Sequence, residues 1–148
     1  MIKTLKRIGV ILFQKIFNLD DLSFKYSISV KGVLIEKGRV LLLKNENFIF
    51  DLPGGKLEKD QDFHEALIEE FKEETNLDVR VKSLLELKKY FLNNRDIIIA
   101  TYEVENISRE PISLSYENWG YDFIKLDDLE NNEIKPWIKN LLKENFKS

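Results

Sequence analysis

The chain contains no cysteine and only one histidine, His64. Without cysteine, disulfides and thiolate-bound metal are excluded. With one imidazole and no thiol, there is little from which to build a Ser-His-Asp or Cys-His mechanism. Carboxylates and a metal ion are left to carry any chemistry. A long hydrophobic run is also missing. The uncharged stretch Ile8–Phe13 falls far short of the roughly 20 residues that a bilayer-spanning helix needs. No small-residue cleavage site follows a signal-like core, so a cytoplasmic protein is expected. Nor is there an excess of charge of one sign: the formal net charge is −3, with acids and bases mixed throughout. A nucleic-acid protein with a broad basic face is therefore not expected, and neither is a stable nucleic-acid complex. No linker, composition break or internal repeat divides the 148 residues, a length that suits one domain with a sizeable core.

What is present divides at about residue 22. In residues 1–22, Ile2, Leu5, Gly9, Leu12, Phe13 and Ile16 recur at helical spacing, with Lys3, Lys6, Arg7 and Gln14 largely to one side. This pattern predicts an amphipathic helix. Its apolar stripe is expected to pack on its own domain or on a second subunit, as in a homodimer, in preference to a membrane surface. Residues 23–148 form the domain proper. The segment from Phe24 to Asn45 reads as a β-hairpin turning at Glu36 to Arg39, and "NFIFDL" as a short strand ended by a tight loop at Pro53-Gly54-Gly55. Two longer strands, Val79 to Leu92 and Asp96 to Val104, join near Asn93-Asn94. A final strand over "YDFIKL" precedes a final helix from Pro136 to Phe146, with Trp137, Ile138, Leu141 and Leu142 facing inward. Mixed in this order, the elements predict an α/β fold of the α+β kind, a mixed sheet between helices.

Between the third strand and the longer pair lies a helix crowded with glutamate. Asp62 is suited to N-cap it, with Glu65 three residues on as in a capping box, and Asn76 can close it in the left-handed conformation. Glu65, Glu69, Glu70, Glu73 and Glu74 stand three and four residues apart, a spacing at which like charges repel by a few tenths of a kcal/mol per pair. Lys72 is the only basic side chain between Asp60 and Val79, apart from the neutral His64, which reads as an exposed helix residue. Charge relief must come from elsewhere. At about 100° per residue, Glu70 and Glu74 fall in the arc of Phe63, Ala66, Leu67 and Leu77, with Glu73 at its edge, while Glu65, Glu69 and Lys72 fall opposite. Carboxylates at the border of a buried face favour a hard divalent cation held by oxygen.

Gly55 through Leu77 resembles the Nudix box of the Nudix hydrolases: a glycine, five residues, a glutamate, seven residues, then Arg-Glu-apolar-x-Glu-Glu-x-Gly-apolar. Gly55, Glu70, Phe71, Glu73, Glu74 and Leu77 fall in register, with "PGG" before them, and the "WGYDFIKLDDL" segment also looks typical of the family. The resemblance implies an α/β/α sandwich and a Mg²⁺- or Mn²⁺-dependent hydrolysis of a pyrophosphate bond. The substrate would be a small molecule, a nucleoside diphosphate linked to another moiety. It implies Glu70 and Glu74 as metal ligands, Glu73 as a further ligand or an orienting base, and the Gly55 carbonyl as an additional ligand. Catalytic roles fall to Glu70, Glu73 and Glu117; Glu117, in the loop "SLSYENWGYD", reads equally as an ordinary loop acid. Lys56, Phe50 and Trp119 are candidate substrate contacts, and Glu58 could act at the rim. Three positions depart from the signature: Gln61 for its first glutamate, Glu69 for its arginine and Asn76 for its last glycine, while Asp60 stands where a glycine is frequent. Gln61 removes a charge from the expected metal site, and Glu69 puts an anion where a cation would orient the carboxylates. These changes support a second reading, a weakened module that binds nucleotide or metal without turnover.

Overall fold

The computed structural model describes residues 26–146. The helix expected over residues 1–22 lies outside them. Among the described residues there are seven strands: β1 (Ser27–Glu36), β2 (Arg39–Lys44), β3 (Phe50–Asp51), β4 (Gly54–Lys56), β5 (Val79–Leu92), β6 (Arg95–Asn106) and β7 (Gly120–Lys125). Two α-helices accompany them, α1 (Phe63–Thr75) and α2 (Pro136–Phe146), with a 3₁₀ turn at Leu129–Asn131.

Turn chemistry sets the hairpins. Lys37 and Gly38 take φ of 50° and 71° between β1 and β2, and Asn93 and Asn94 take 51° and 63° between β5 and β6. Paired positive φ values match the right-handed twist of the strands they join. The expected third strand shrinks to Phe50–Asp51 because the residues before it fold into a turn. There the Asn45 side chain accepts the Asn47 and Ile49 amides at 2.9 and 3.0 Å, and Phe48 sits at φ 59°.

The strand path β3-β2-β1-β6-β5 forms a mixed sheet, with β4 added beside β1 and β7 beside β2. β1 runs parallel to β6 from Ser27 to Leu34 and antiparallel to its other neighbours. On that second edge it changes partner, meeting β4 at Ser29–Lys31 and β2 at Ile35–Glu36. Residues Gly54–Lys56, expected as a loop, thus form a strand. Glycine has little strand preference of its own, and it is pairing with β1 that makes this segment extended.

Successive strand residues face opposite sides of the sheet, and β2 shows the result. Leu41 and Leu43 join Phe63, Ala66, Leu67 and Phe71 of α1 in one core cluster. Val40 and Leu42 join Trp137, Ile138, Leu141 and Leu142 of α2 in the other. Each buried valine, leucine, isoleucine or phenylalanine among these contributes roughly 1.5–3 kcal/mol. The result is the expected α/β/α sandwich.

Candidate active site

α1 begins and ends where its sequence directs. The Asp62 carboxylate accepts the His64 and Glu65 amides at 2.9 and 3.1 Å, satisfying two donors that the first turn leaves open. Asn76 closes the helix at φ 61°. Phe63, Ala66, Leu67, Phe71 and Thr75 are buried, which turns Glu70 and Glu74 to the edge of that face and leaves Glu65, Glu69, Lys72 and Glu73 exposed. His64 is not the free surface residue expected from the sequence: its ring packs edge-on against Tyr102, centroids 4.9 Å apart.

The half-buried pair closes on the glycine strand. A Cβ at Gly55 would lie 2.5 Å from Cδ and Oε1 of Glu70, so this carboxylate occupies the space that any other residue's side chain would take. One residue earlier, the Gly54 amide donates to Glu74 Oε2 at 3.2 Å. Gly54 itself has φ +135°, and a Cβ there would meet the Val30 carbonyl oxygen at 2.1 Å, so only glycine fits.

Burial is the main influence on both acids. It raises the Glu74 carboxyl to about 7, against the opposing pull of Lys31 and the Gly54 amide; Glu70 and Asp51 push it up further. Glu70 is raised as well, first by burial and then by Glu73, with Glu117 and Glu69 adding to the rise and Lys31 opposing it. Glu117 is thereby placed within electrostatic reach of Glu70. Its loop is fastened to the end of α1 by the Ser113 amide on the Thr75 carbonyl (3.0 Å) and the Ser115 amide on the Glu74 carbonyl (3.1 Å).

Beneath the glycine strand lies a charged group that sequence reasoning missed. Lys31 of β1 donates to the Leu52 carbonyl at 2.9 Å and to the Gly54 carbonyl at 3.4 Å, and lies 3.5 Å from Asp51. Asp51 is also paired with Lys135, just before α2, and accepts the Leu52 amide at 2.7 Å. Two lysines and that amide hold the Asp51 carboxyl below its ordinary value against the opposing effect of burial. The only sequence signal was a lone lysine in the otherwise uncharged "SISVKGVLI".

The remaining candidates separate. Lys56 and Glu58 are exposed on and just after β4. Trp119 is 65% exposed, its ring edge-on to Phe48 at 6.0 Å, and its amide is tied to the Lys44 carbonyl at 2.9 Å. Phe50 is not a substrate surface: it is 7% exposed in the core beneath α2, with Lys44 over its ring, and offers no open face to a base. Gln61 does not face the glutamate pair. Its amide donates to Glu69 at 2.8 Å and its oxygen accepts the Glu58 amide at 3.1 Å.

All donors at the site are oxygens, which suits a hard divalent cation. Among the described residues, no three carboxylate or imidazole groups gather closely enough to hold an ion unaided. Two half-buried carboxylates over a glycine strand instead fit an ion that keeps several waters and shares its coordination with phosphate oxygens, the habit of Mg²⁺.

A sandwich with an acidic helix laid across a Pro-Gly-Gly strand defines the Nudix class of hydrolases. The NUDIX domain matches residues 25–144, most of this chain, which therefore belongs to the Nudix family. An ADP-ribose pyrophosphatase from Methanocaldococcus jannaschii is 40% identical over 63 residues, covering 40% of this chain. The match spans only 37% of that relative's length. Among solved structures, the MutT protein from Methanosarcina mazei Go1 superposes with a TM-score of 0.72 at 23% identity, over 80% of this chain and 91% of its own. A NUDIX hydrolase from Nitrosomonas europaea reaches 0.74 at 17% identity, over 81% and 88%. At these identities the two structures speak for the fold alone.

Proposed function

We propose that this protein is a divalent-metal-dependent pyrophosphohydrolase acting on a nucleoside diphosphate linked to another moiety, with ADP-ribose the first substrate to test. The observation that carries this reading is the Glu70 carboxylate seated directly over Gly55, with Glu74 bound to the Gly54 amide one residue away. Glu70 and Glu74, with the Gly55 carbonyl, would hold the ion, and Glu73 stands exposed at its border as a further ligand or base. Bound there, Mg²⁺ or Mn²⁺ would neutralise the diphosphate and lower the pKa of an attacking water. The chain's own groups then have separable tasks. Glu117, whose charge bears on Glu70, would accept the proton of that water. Lys56 on the exposed end of β4 can meet a phosphate, and Trp119 offers an open ring to a base.

The M. jannaschii relative, an ADP-ribose pyrophosphatase, supports the choice of first substrate. A panel of ADP-ribose, nucleotide sugars, dinucleoside polyphosphates and nucleoside triphosphates with Mg²⁺ or Mn²⁺ provides the test, read by ³¹P NMR. Nucleoside monophosphate should appear from at least one diphosphate. Folded protein that turns over nothing on the panel, yet binds one of its members by calorimetry, would favour the second reading, a binding module without hydrolysis. A cytoplasmic enzyme of small molecules, monomeric or a homodimer, is the setting this function suits. Among the described residues, no helix is long and apolar enough to cross a membrane.

A further inference from the structure

The carboxylates of α1 need a counter-charge that the helix does not carry. Its one lysine, Lys72, faces outward, 3.0 Å from Asp78 and 3.3 Å from the Asn76 carbonyl. Position 69, where the family's motif has arginine, is a glutamate occupied with Gln61. We propose that Lys31, on β1, is the positioning residue that supplies this cation, holding the glycine strand in register beneath Glu70 and Glu74. The proposal rests on the hydrolase reading above for its catalytic consequence, but not for its structural one.

Three observations carry it. The Lys31 side chain is 15% exposed, so its ammonium is committed to the protein interior. It is bound from three sides, by the carbonyls of Leu52 and Gly54 and by Asp51. These groups bracket the turn Leu52-Pro53-Gly54 that leads into β4. The register also places Lys31 opposite Gly54 and Val30 opposite Gly55, so Lys31 grips the residue whose amide Glu74 accepts, one position before the glycine over which Glu70 sits. An uncharged side chain of the same length would leave two inward-facing carbonyls without this donor and Asp51 with one cation in place of two. Buried acceptors that lose a donor destabilise their local geometry. The strand would then settle differently under the two glutamates, and reacting groups displaced by about 1 Å can lose on the order of a hundredfold in rate.

The absence of cysteine permits a direct test. In Lys31→Cys the new thiol is unique, and it can be alkylated in urea with 2-bromoethylamine, which restores an ammonium at lysine length. Alkylation with 1-iodopropane gives the neutral isostere. Both forms are refolded and compared with the native chain by circular dichroism. In metal-free protein, the Gly54 amide should exchange with deuterium faster in the propyl form and at the native rate in the aminoethyl form. On a substrate that the native enzyme turns over, the propyl form should lose roughly ten- to a hundredfold in kcat with KM little changed, and the aminoethyl form should recover kcat. A side chain that merely fills space would give the two forms the same exchange and the same kcat, and that equality overturns the proposal. If the native chain hydrolyses nothing on the panel, the hydrolase reading fails while Gly54 exchange still decides the role of Lys31. Should either alkylated form not refold, Lys31→Met and Lys31→Arg, expressed directly, carry the same comparison of neutral with charged.

Discussion

Replacing Gly55 by alanine adds one methyl group where the Glu70 carboxylate closes on the glycine strand. Its Cβ would lie 2.5 Å from Cδ and Oε1 and 2.6 Å from Oε2 of Glu70. Ordinary contact needs about 3.4 Å or more, so the carboxylate has to withdraw by roughly 1 Å. Glu70 is a flexible side chain at a half-exposed position, and Gly55 has an ordinary negative φ. The fold can therefore absorb the change. Alanine also restricts the unfolded chain, an effect worth about 0.4–1 kcal/mol in favour of folding when the backbone fits. Stability is expected to be unchanged or slightly raised in Gly55→Ala, while turnover falls on the order of a hundredfold because the carboxylate proposed to hold the ion is displaced. Urea melts and steady-state kinetics with Mg²⁺ on the best substrate of the panel measure the two effects separately. Opposite signs for stability and activity are what distinguish a site from a packing position. A Gly55→Ala enzyme with unchanged kcat would mean that the Glu70 carboxylate over this strand is not part of the reaction.

Three further outcomes follow from the same geometry. Glu70→Gln keeps the shape and removes the charge, so turnover should fall by several orders of magnitude, and the gain in melting temperature on adding Mg²⁺ should shrink relative to the native chain; an unchanged rate and an unchanged Mg²⁺ response would refute the assignment. In metal-free protein Glu74 has a folded carboxyl raised from 4.5 to about 7, so its contribution to stability is full below pH 4.5 and is lost as pH rises through 7, an effect on the order of 3 kcal/mol. Asp51, with its lowered carboxyl, acts in the opposite sense only below its ordinary value of 3.8 and does not mask this. Urea melts in chelator should show a less stable protein at pH 8 than at pH 5, with the difference reduced in Glu74→Gln; equal stability at the two pH values would contradict the burial of this group. Trp119→Ala should raise KM roughly tenfold and leave kcat within about twofold, if its exposed ring stacks on a base; an unchanged KM would remove it from the substrate site.

How much of this was legible in the sequence depended on the range of the interactions. Asp62, Asn76, the Lys37-Gly38 and Asn93-Asn94 turns and the limits of α2 are set by neighbours a few residues away, and the local pattern located them. The side of α1 that carries Glu70 and Glu74 followed from helical period alone. β4 was missed because its strand character comes from pairing with β1, some 25 residues earlier in the chain, while its own glycines suggest a loop. Phe50 was misjudged for a related reason. Consecutive strand residues face opposite sides, and the one turned toward Lys31 is Asp51, while Phe50 goes into the core beneath α2. Lys31 itself could be noticed as a charge within the strand's run of branched residues, but its partners at Leu52 and Gly54 lie 21 and 23 residues away. No local pattern brings those carbonyls to it.

The two substitutions that seemed to weaken the box acquire a different meaning once their side chains are placed. Gln61 and Glu69 touch each other, eight residues apart, across the exposed start of α1, and the Gln61 oxygen returns to the Glu58 amide. Together they fasten the loop from Glu58 to Gln61 onto the outer side of the helix, away from the arc that Glu70 and Glu74 share with the buried residues. Asp60 completes the turn at φ 63°, a conformation that aspartate tolerates better than most side chains, in a place where the family often uses glycine. The motif's glutamate and arginine are of opposite charge, and a clamp between those positions could be made by their attraction. With a carboxylate now at 69, a second carboxylate at 61 would set two acceptors face to face. Glutamine supplies the missing donor, so the substitutions form one compensated exchange that preserves the clamp. The exchange keeps the Glu70 and Glu74 carboxylates themselves, although the charge of Glu69 adds to the rise of the Glu70 carboxyl. It does leave the helix without an arginine, and the largely buried ammonium of Lys31 on β1 is the positive charge that opposes the rise of both glutamates.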